Sequence, residues 1–79
     1  MSTGVLWFDD SSNRTLDEKV QAACARYAQK FSVAANTVYV HPSEVGTGLT
    51  TVMTSGGGTQ VIADKATLPY HYFAVREDA

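Results

Sequence analysis

The chain has little of what small proteins commonly use to reinforce a thin core. Its 79 residues include one cysteine, Cys24, so no disulfide can form within the chain. No spacing of cysteine and histidine typical of a zinc site is present. A chain of this length buries only about 60–65% of the surface that its unfolded form exposes. We therefore expect a single domain over residues 1–79, stabilised by good packing or by self-association.

Basic residues are also few, and they are dispersed along the chain. Six Lys and Arg stand against eight Asp and Glu, which gives a formal net charge of -2. The basic residues are Arg14, Lys19, Arg26, Lys30, Lys65 and Arg76. A protein that binds a phosphate backbone needs several such residues on one face. Nucleic acid is therefore not an expected partner.

Long apolar runs are absent. The segment at residues 5–8, Val-Leu-Trp-Phe, is far too short for a signal-peptide core or a membrane span. The residues before it carry no basic region. We expect no membrane association and a cytoplasmic location, with which the lone thiol agrees.

The clearest pattern that is present predicts a helix from Leu16 to Phe31. Thr15 and Glu18 match a capping box, in which each side chain accepts a hydrogen bond from the other residue's backbone N–H. Apolar residues recur at steps of three and four and define one face. This face comprises Leu16, Val20, Ala23, Cys24, Tyr27 and Phe31. We expect Cys24 on this face to be a buried, inert thiol.

Short β-branched and aromatic segments bounded by turn residues predict strands. They are residues 5–8, 37–41, 49–54, 59–63 and 70–76. Residues 43–45 are expected to form one helical turn, and residues 55–58 to form a flexible loop. The order is β-α-β-β-β, so the predicted fold is α+β, with a single helix packed on one face of a mixed sheet of four to five strands. The helix should connect two parallel strands by a right-handed crossover, and antiparallel hairpins should follow.

One helix can cover only one face of such a sheet. We expect the helix to cover Val38, Val40, Phe73 and Val75, and the uncovered face to carry Tyr39, Tyr70 and Tyr72. Trp7 and Phe8 are expected in the core rather than stacked on a base. An exposed aromatic patch on a small protein is typical of a contact surface. The sequence therefore predicts a homodimer or a protein partner docked on this face; the alternative is that loops fold over it.

Four polar residues are predicted at one edge of the sheet. Asp9 and Asp10 follow the first strand, His41 ends the second, and His71 begins the last. Ligands of α/β proteins commonly bind at the carboxyl ends of parallel strands, so these residues could form an acid–base or metal constellation. The structural alternative is that the aspartates cap the loop and the helix start, while the histidines hydrogen-bond to backbone. We favour the structural alternative and predict neither a metal site nor a cofactor.

Four segments can be read together as a pattern. They are residues 6–9 (Leu-Trp-Phe-Asp), 16–20 (Leu-Asp-Glu-Lys-Val) with Tyr27, 38–42 (Val-Tyr-Val-His-Pro) and 68–72 (Leu-Pro-Tyr-His-Tyr). This pattern resembles a group of small bacterial proteins of uncharacterised function. The resemblance implies a compact α+β fold, and it implies no activity and no functional residue.

On these grounds the sequence favours a non-enzymatic protein-interaction module, which self-associates through the uncovered face. The alternative is a small enzyme or metal-binding domain that uses Asp9, Asp10, His41 and His71.

Overall fold

A computed structural model describes residues 4–45, 49–54 and 57–77. Its elements are β1 (Gly4–Phe8), α1 (Leu16–Phe31), β2 (Thr37–Val40), α2 (Pro42–Val45), β3 (Leu49–Thr54), β4 (Gly57–Ala63) and β5 (His71–Val75). The predicted α+β class is confirmed. Among the described residues, none of the helices has both the length and the apolarity needed to cross a bilayer.

Helix α1 begins and ends at the predicted residues. Its capping box is formed: the Glu18 N–H donates to Thr15 Oγ1 at 3.2 Å, and the Thr15 N–H donates to Glu18 Oε1 at 2.8 Å. At the other end, Ser32 adopts the left-handed conformation with φ 62° and donates its N–H to the Ala28 carbonyl. Both ends of the helix thus satisfy backbone groups that would otherwise have no partner.

The five strands form one mixed sheet in the order β1-β5-β2-β4-β3. Strands β1 and β2 run in the same direction because each is antiparallel to β5. They are not neighbours, however, since β5 lies between them. The prediction that α1 connects two strands of the same direction is therefore confirmed, although the parallel neighbours in the sheet are β2 and β4. In this position β5 pairs with two strands, β1 and β2, instead of one.

Only one of the predicted hairpins is present. Strands β3 and β4 pair antiparallel, from Leu49 opposite Ile62 to Thr54 opposite Gly57. Of the loop predicted between them, Gly57 and Gly58 belong to β4, while Ser55 and Gly56 lie outside the described residues. Strand β5 does not pair with β4, because β2 separates them.

The core lies between α1 and one face of the sheet, which we call the covered face. Its buried members are Val20, Ala23, Cys24, Tyr27, Ala35, Val38, Val40, Val61, Tyr72 and Ala74, and Val5, Trp7, Leu16 and Phe31 pack against them. Strand residues alternate between faces, so the residues between these project to the opposite side. The prediction that α1 covers one face of the sheet, with Val38 and Val40 beneath it, is confirmed.

Candidate functional site

The open face is the side of the sheet opposite α1. On strands β1, β2, β4 and β5 its side chains are those of Leu6, Phe8, Thr37, Tyr39, Gln60, Ile62, His71, Phe73 and Val75, of which Thr37 and Val75 are buried. The register places Leu6 beside Phe73, and Phe73 beside Tyr39, in one row across three strands. Across the described strands, no Asp, Glu, Lys or Arg occupies a position on this face. A solvated sheet face normally carries polar residues outward, so the apolar row of Leu6, Phe8 and Phe73 on this face is unusual.

The aromatic residues predicted for this face are only partly placed on it. Tyr39 lies there, but Tyr72 is 0% exposed and belongs to the core. Tyr70 lies in the turn before β5, with φ 63°, on no strand. Phe73 and Val75 were predicted beneath the helix and instead project to the opposite side. The prediction was wrong by one residue along β5, where apolar side chains occupy both alternating sets and the sequence favours neither.

Phe8 also differs from its predicted place in the core. Its side chain is 55% exposed on the open face, whereas Trp7 packs against the covered core as predicted. Leu6 is 59% exposed, and Leu68, in the loop before β5, is 64% exposed. These large apolar side chains concentrate the exposed apolar surface at the β1 side of the sheet.

The other half of the open face is polar. A shallow groove of about 590 Å³ runs over Thr37, Tyr39 and Gln60 to Glu77. The Tyr39 hydroxyl donates to Glu77 Oε1, and this contact raises the pKa of Tyr39. Asn36 secures the same segment, because its Nδ2 donates to the Glu77 carbonyl and its Oδ1 accepts from the Glu77 N–H. The chain after β5 is therefore held at the margin of the face.

The predicted Asp/His constellation shares one edge of the sheet but not one side of it. Strands β1 and β2 both end at this edge and β5 begins there, as the topology requires. Asp9 continues the alternation of Val5 and Trp7 and lies on the helix side, whereas His71 lies on the open face beside Phe8. Within the described residues, no group of three or more His, Cys, Asp or Glu could hold a metal ion.

Asp9 is buried and tied to the segment that leads into α1. Its Oδ1 accepts the Ser11 N–H at 2.9 Å, and its Oδ2 lies 3.1 Å from Arg14 Nη1 without hydrogen-bond alignment. The Ser11 hydrogen bonds lower the pKa of Asp9, with smaller contributions from the positive charges of Arg14 and Lys19. Asp10, the next residue, is exposed. Asp9 thus closes a turn with its side chain, which is a structural role.

Both histidines hydrogen-bond to nearby backbone. His41 Nδ1 accepts the Ser43 N–H at 3.1 Å and contacts Ser43 Oγ at 2.8 Å, so His41 caps the start of α2. His71 Nδ1 lies 2.9 Å from the Pro69 carbonyl, which can only accept, so this nitrogen carries a proton. The His71 ring also packs against Phe8, with centroids 5.0 Å apart. These contacts are those of the structural alternative.

A polar network that the sequence did not reveal lies on the helix side of the same edge. The buried Tyr72 hydroxyl donates to Glu44 Oε1 at 2.7 Å and thereby ties β5 to α2. Burial, followed by the nearby Glu44 carboxylate, raises the pKa of Tyr72. Lys19 is also buried, and its Nζ lies 5.9 Å from the centre of the Tyr70 ring. These contacts join α2 to β5 and α1 to the turn before β5, so their role is structural.

Cys24 is buried on the apolar side of α1, as predicted. Its Sγ lies 3.9 Å from the Thr59 hydroxyl on β4. Burial raises the pKa of this thiol. A nucleophilic cysteine requires the opposite conditions, namely exposure and a stabilised thiolate.

No family model, no curated protein and no solved structure matches this chain. The resemblance to small bacterial proteins therefore stays a prediction.

Proposed function

We propose that this protein is a non-enzymatic interaction module that forms a homodimer through the open face. The observation that carries the proposal is the absence of Asp, Glu, Lys and Arg from the described strand positions of that face, together with its exposed Leu6 and Phe8. Burying such side chains contributes about 1.5–3 kcal/mol each. A second copy supplies the apolar surface that would remove them from water.

Charge and size both favour a second copy as the partner. Two faces without strand charges can meet without repulsion, whereas a charged partner would find no complementary groups on these strands. The molecule extends 29 × 26 × 18 Å, and its broad side suits the roughly 800 Å² per partner of a standard interface. Two sheets packed face to face lie about 10 Å apart, with their side chains interdigitated.

A cytoplasmic location remains part of this proposal. Its support is the buried, unpaired thiol of Cys24, which is the usual state of cysteine in a reducing compartment.

The test is sedimentation velocity on the wild-type chain, Leu6→Asp and Val33→Asp. Leu6 on the open face and Val33 after α1 are 59% and 49% exposed, so the two variants add the same charge at comparable exposure. We expect a dimer at tens of micromolar for the wild type and Val33→Asp, and a folded monomer for Leu6→Asp. A monomeric wild type, or a dimer unaffected by Leu6→Asp, would contradict the proposal.

A further inference from the structure

The open face contains an apolar hollow at its β1 side. The hollow has a volume of about 330 Å³ and is lined by Leu6, Ala66, Thr67, Leu68, His71 and Phe73. This volume lies at the lower end of the range for ligand pockets, and it suits one inserted side chain. The lining contains no carboxylate or ammonium that would select a charged ligand.

Local hydrogen bonds hold the loop that forms one wall of the hollow. Asp64 Oδ1 accepts the Ala66 N–H at 2.9 Å, and the Asp64 carbonyl accepts the Thr67 N–H at 3.0 Å. The Leu68 carbonyl accepts the His71 N–H at 3.2 Å, which closes the loop against β5. The hollow is therefore formed before any partner binds, so binding needs little further ordering.

A protruding aromatic side chain stands next to this hollow. Phe8 follows Leu6 on the same side of β1, and its ring packs against the ring of His71, which lines the hollow. Phe8 is not itself part of the lining, and more than half of its side chain is exposed. The same small region thus contains the hollow and an exposed aromatic side chain, Phe8, that could fill the hollow of another copy.

We propose that, in the homodimer, Phe8 of each copy inserts into the hollow of the other copy. This inference rests on the proposed function and names the contact that specifies the dimer. In a twofold-symmetric dimer each contact occurs twice, because the same residues of each copy contact the other copy. Aromatic side chains buried in preformed pockets are typical of the residues that dominate binding energy.

The test uses two variants that each remove one half of the contact. Phe8→Ala removes the inserted side chain and leaves the hollow intact. Ala66→Trp fills the hollow from an exposed position and leaves Phe8 intact. Each variant alone should raise the dimer dissociation constant by about thirty-fold or more. Val33→Ala is the matched control for Phe8→Ala, and circular dichroism checks that every variant is folded.

Mixing the two variants gives the decisive result. A heterodimer keeps one of the two contacts, from Phe8 of the Ala66→Trp chain into the open hollow of the Phe8→Ala chain, and suffers no clash. Native mass spectrometry should therefore show heterodimer well above the statistical share of about half. A wild-type dimer whose two variants associate without preference would overturn the inference and leave the proposed function standing. A wild-type monomer would overturn both.

Discussion

The two faces of this sheet differ less in their chemistry than in what lies over them. The covered face carries valines, Trp7 and Tyr72 under a capped amphipathic helix. The open face carries Leu6, Phe8 and Phe73, and neither of the two described helices packs over them. Apolar side chains on both sides of a strand are typical of a sheet buried on both faces. The comparison teaches that α1 buries one face of the sheet, while large apolar side chains of the other face stay exposed.

The largest expected effect is a difference in folding stability between substitutions at two adjacent residues of β5, one on each face of the sheet. Tyr72→Ala removes a fully buried ring and its hydrogen bond to Glu44, so we expect it to lower the free energy of unfolding by about 3–5 kcal/mol. Phe73→Ala, on the open face, should cost less than half as much in the monomer. Urea unfolding of both variants, repeated over a range of protein concentrations, measures the difference.

The dependence of urea unfolding on protein concentration gives a second test of the difference between the two faces. Unfolding of the wild type should shift to higher urea as protein concentration rises, because dimerisation stabilises the folded chain. Phe73→Ala should lose that shift. If Phe73→Ala were as costly as Tyr72→Ala at every concentration, the open face would be a second core of the monomer.

A smaller effect is expected at the start of the helix that makes the covered face. Thr15→Ala removes the oxygen that accepts the Glu18 N–H, and the expected loss is about 1 kcal/mol. The substitution lies outside the open face and should leave the dimer dissociation constant unchanged. Thermal unfolding and sedimentation of the same sample test both statements. A changed dissociation constant would mean that α1 takes part in the interface.

The smallest expected effect is a gradual loss of stability at alkaline pH. The pKa of the Cys24 thiol is raised by burial, so the folded state keeps its proton while the unfolded chain ionises at an ordinary thiol pKa of about 8.5. The stability from this group is complete below that pH and falls as pH rises. The fall up to about pH 9 should be smaller than the loss from Thr15→Ala. A second decline should begin near pH 10, where the Tyr72 phenol, whose pKa is also raised, ionises in the unfolded chain.

Cys24→Ala is the control for this titration, and it should flatten the curve below about pH 9. An unchanged slope in that variant would assign the loss to other groups. Cys24 lies on the covered side, so the decline below about pH 9 should be the same in the dimer and the monomer. The decline above pH 10 also includes Tyr39 of the open face, whose pKa is raised as well.

Local features of the fold could be predicted from the sequence, while long-range pairing could not. The capping box and the apolar spacing specify α1 from Leu16 to Phe31 because both depend on residues within a few positions of each other. The insertion of β5 between β1 and β2 depends on contacts across the whole chain, which no local pattern encodes. The same limit applies to the β5 register, since its aromatic residues suit either face.

The candidate site shows the same division. That Asp9, His41 and His71 reach one edge follows from strand direction, and the paired strands agree with it. Asp9 and His71 lie on opposite sides of the sheet, because side chains alternate along β1 and Asp9 continues this alternation. The prediction did not extend the alternation beyond Phe8, the last residue of the strand. The Tyr72–Glu44 hydrogen bond had no signal in the sequence, because its partners are 28 residues apart.

The most direct test of the open face as a docking surface is an isotope-filtered NOE experiment. An equimolar mixture of ¹³C-labelled and unlabelled chains would show only contacts between different copies. We predict intermolecular NOEs from Leu6, Phe8 and Phe73, and none from the outward side of α1, such as Arg26 or Lys30. Intermolecular NOEs confined to α1, or none at a concentration where the protein sediments as a dimer, would contradict the account.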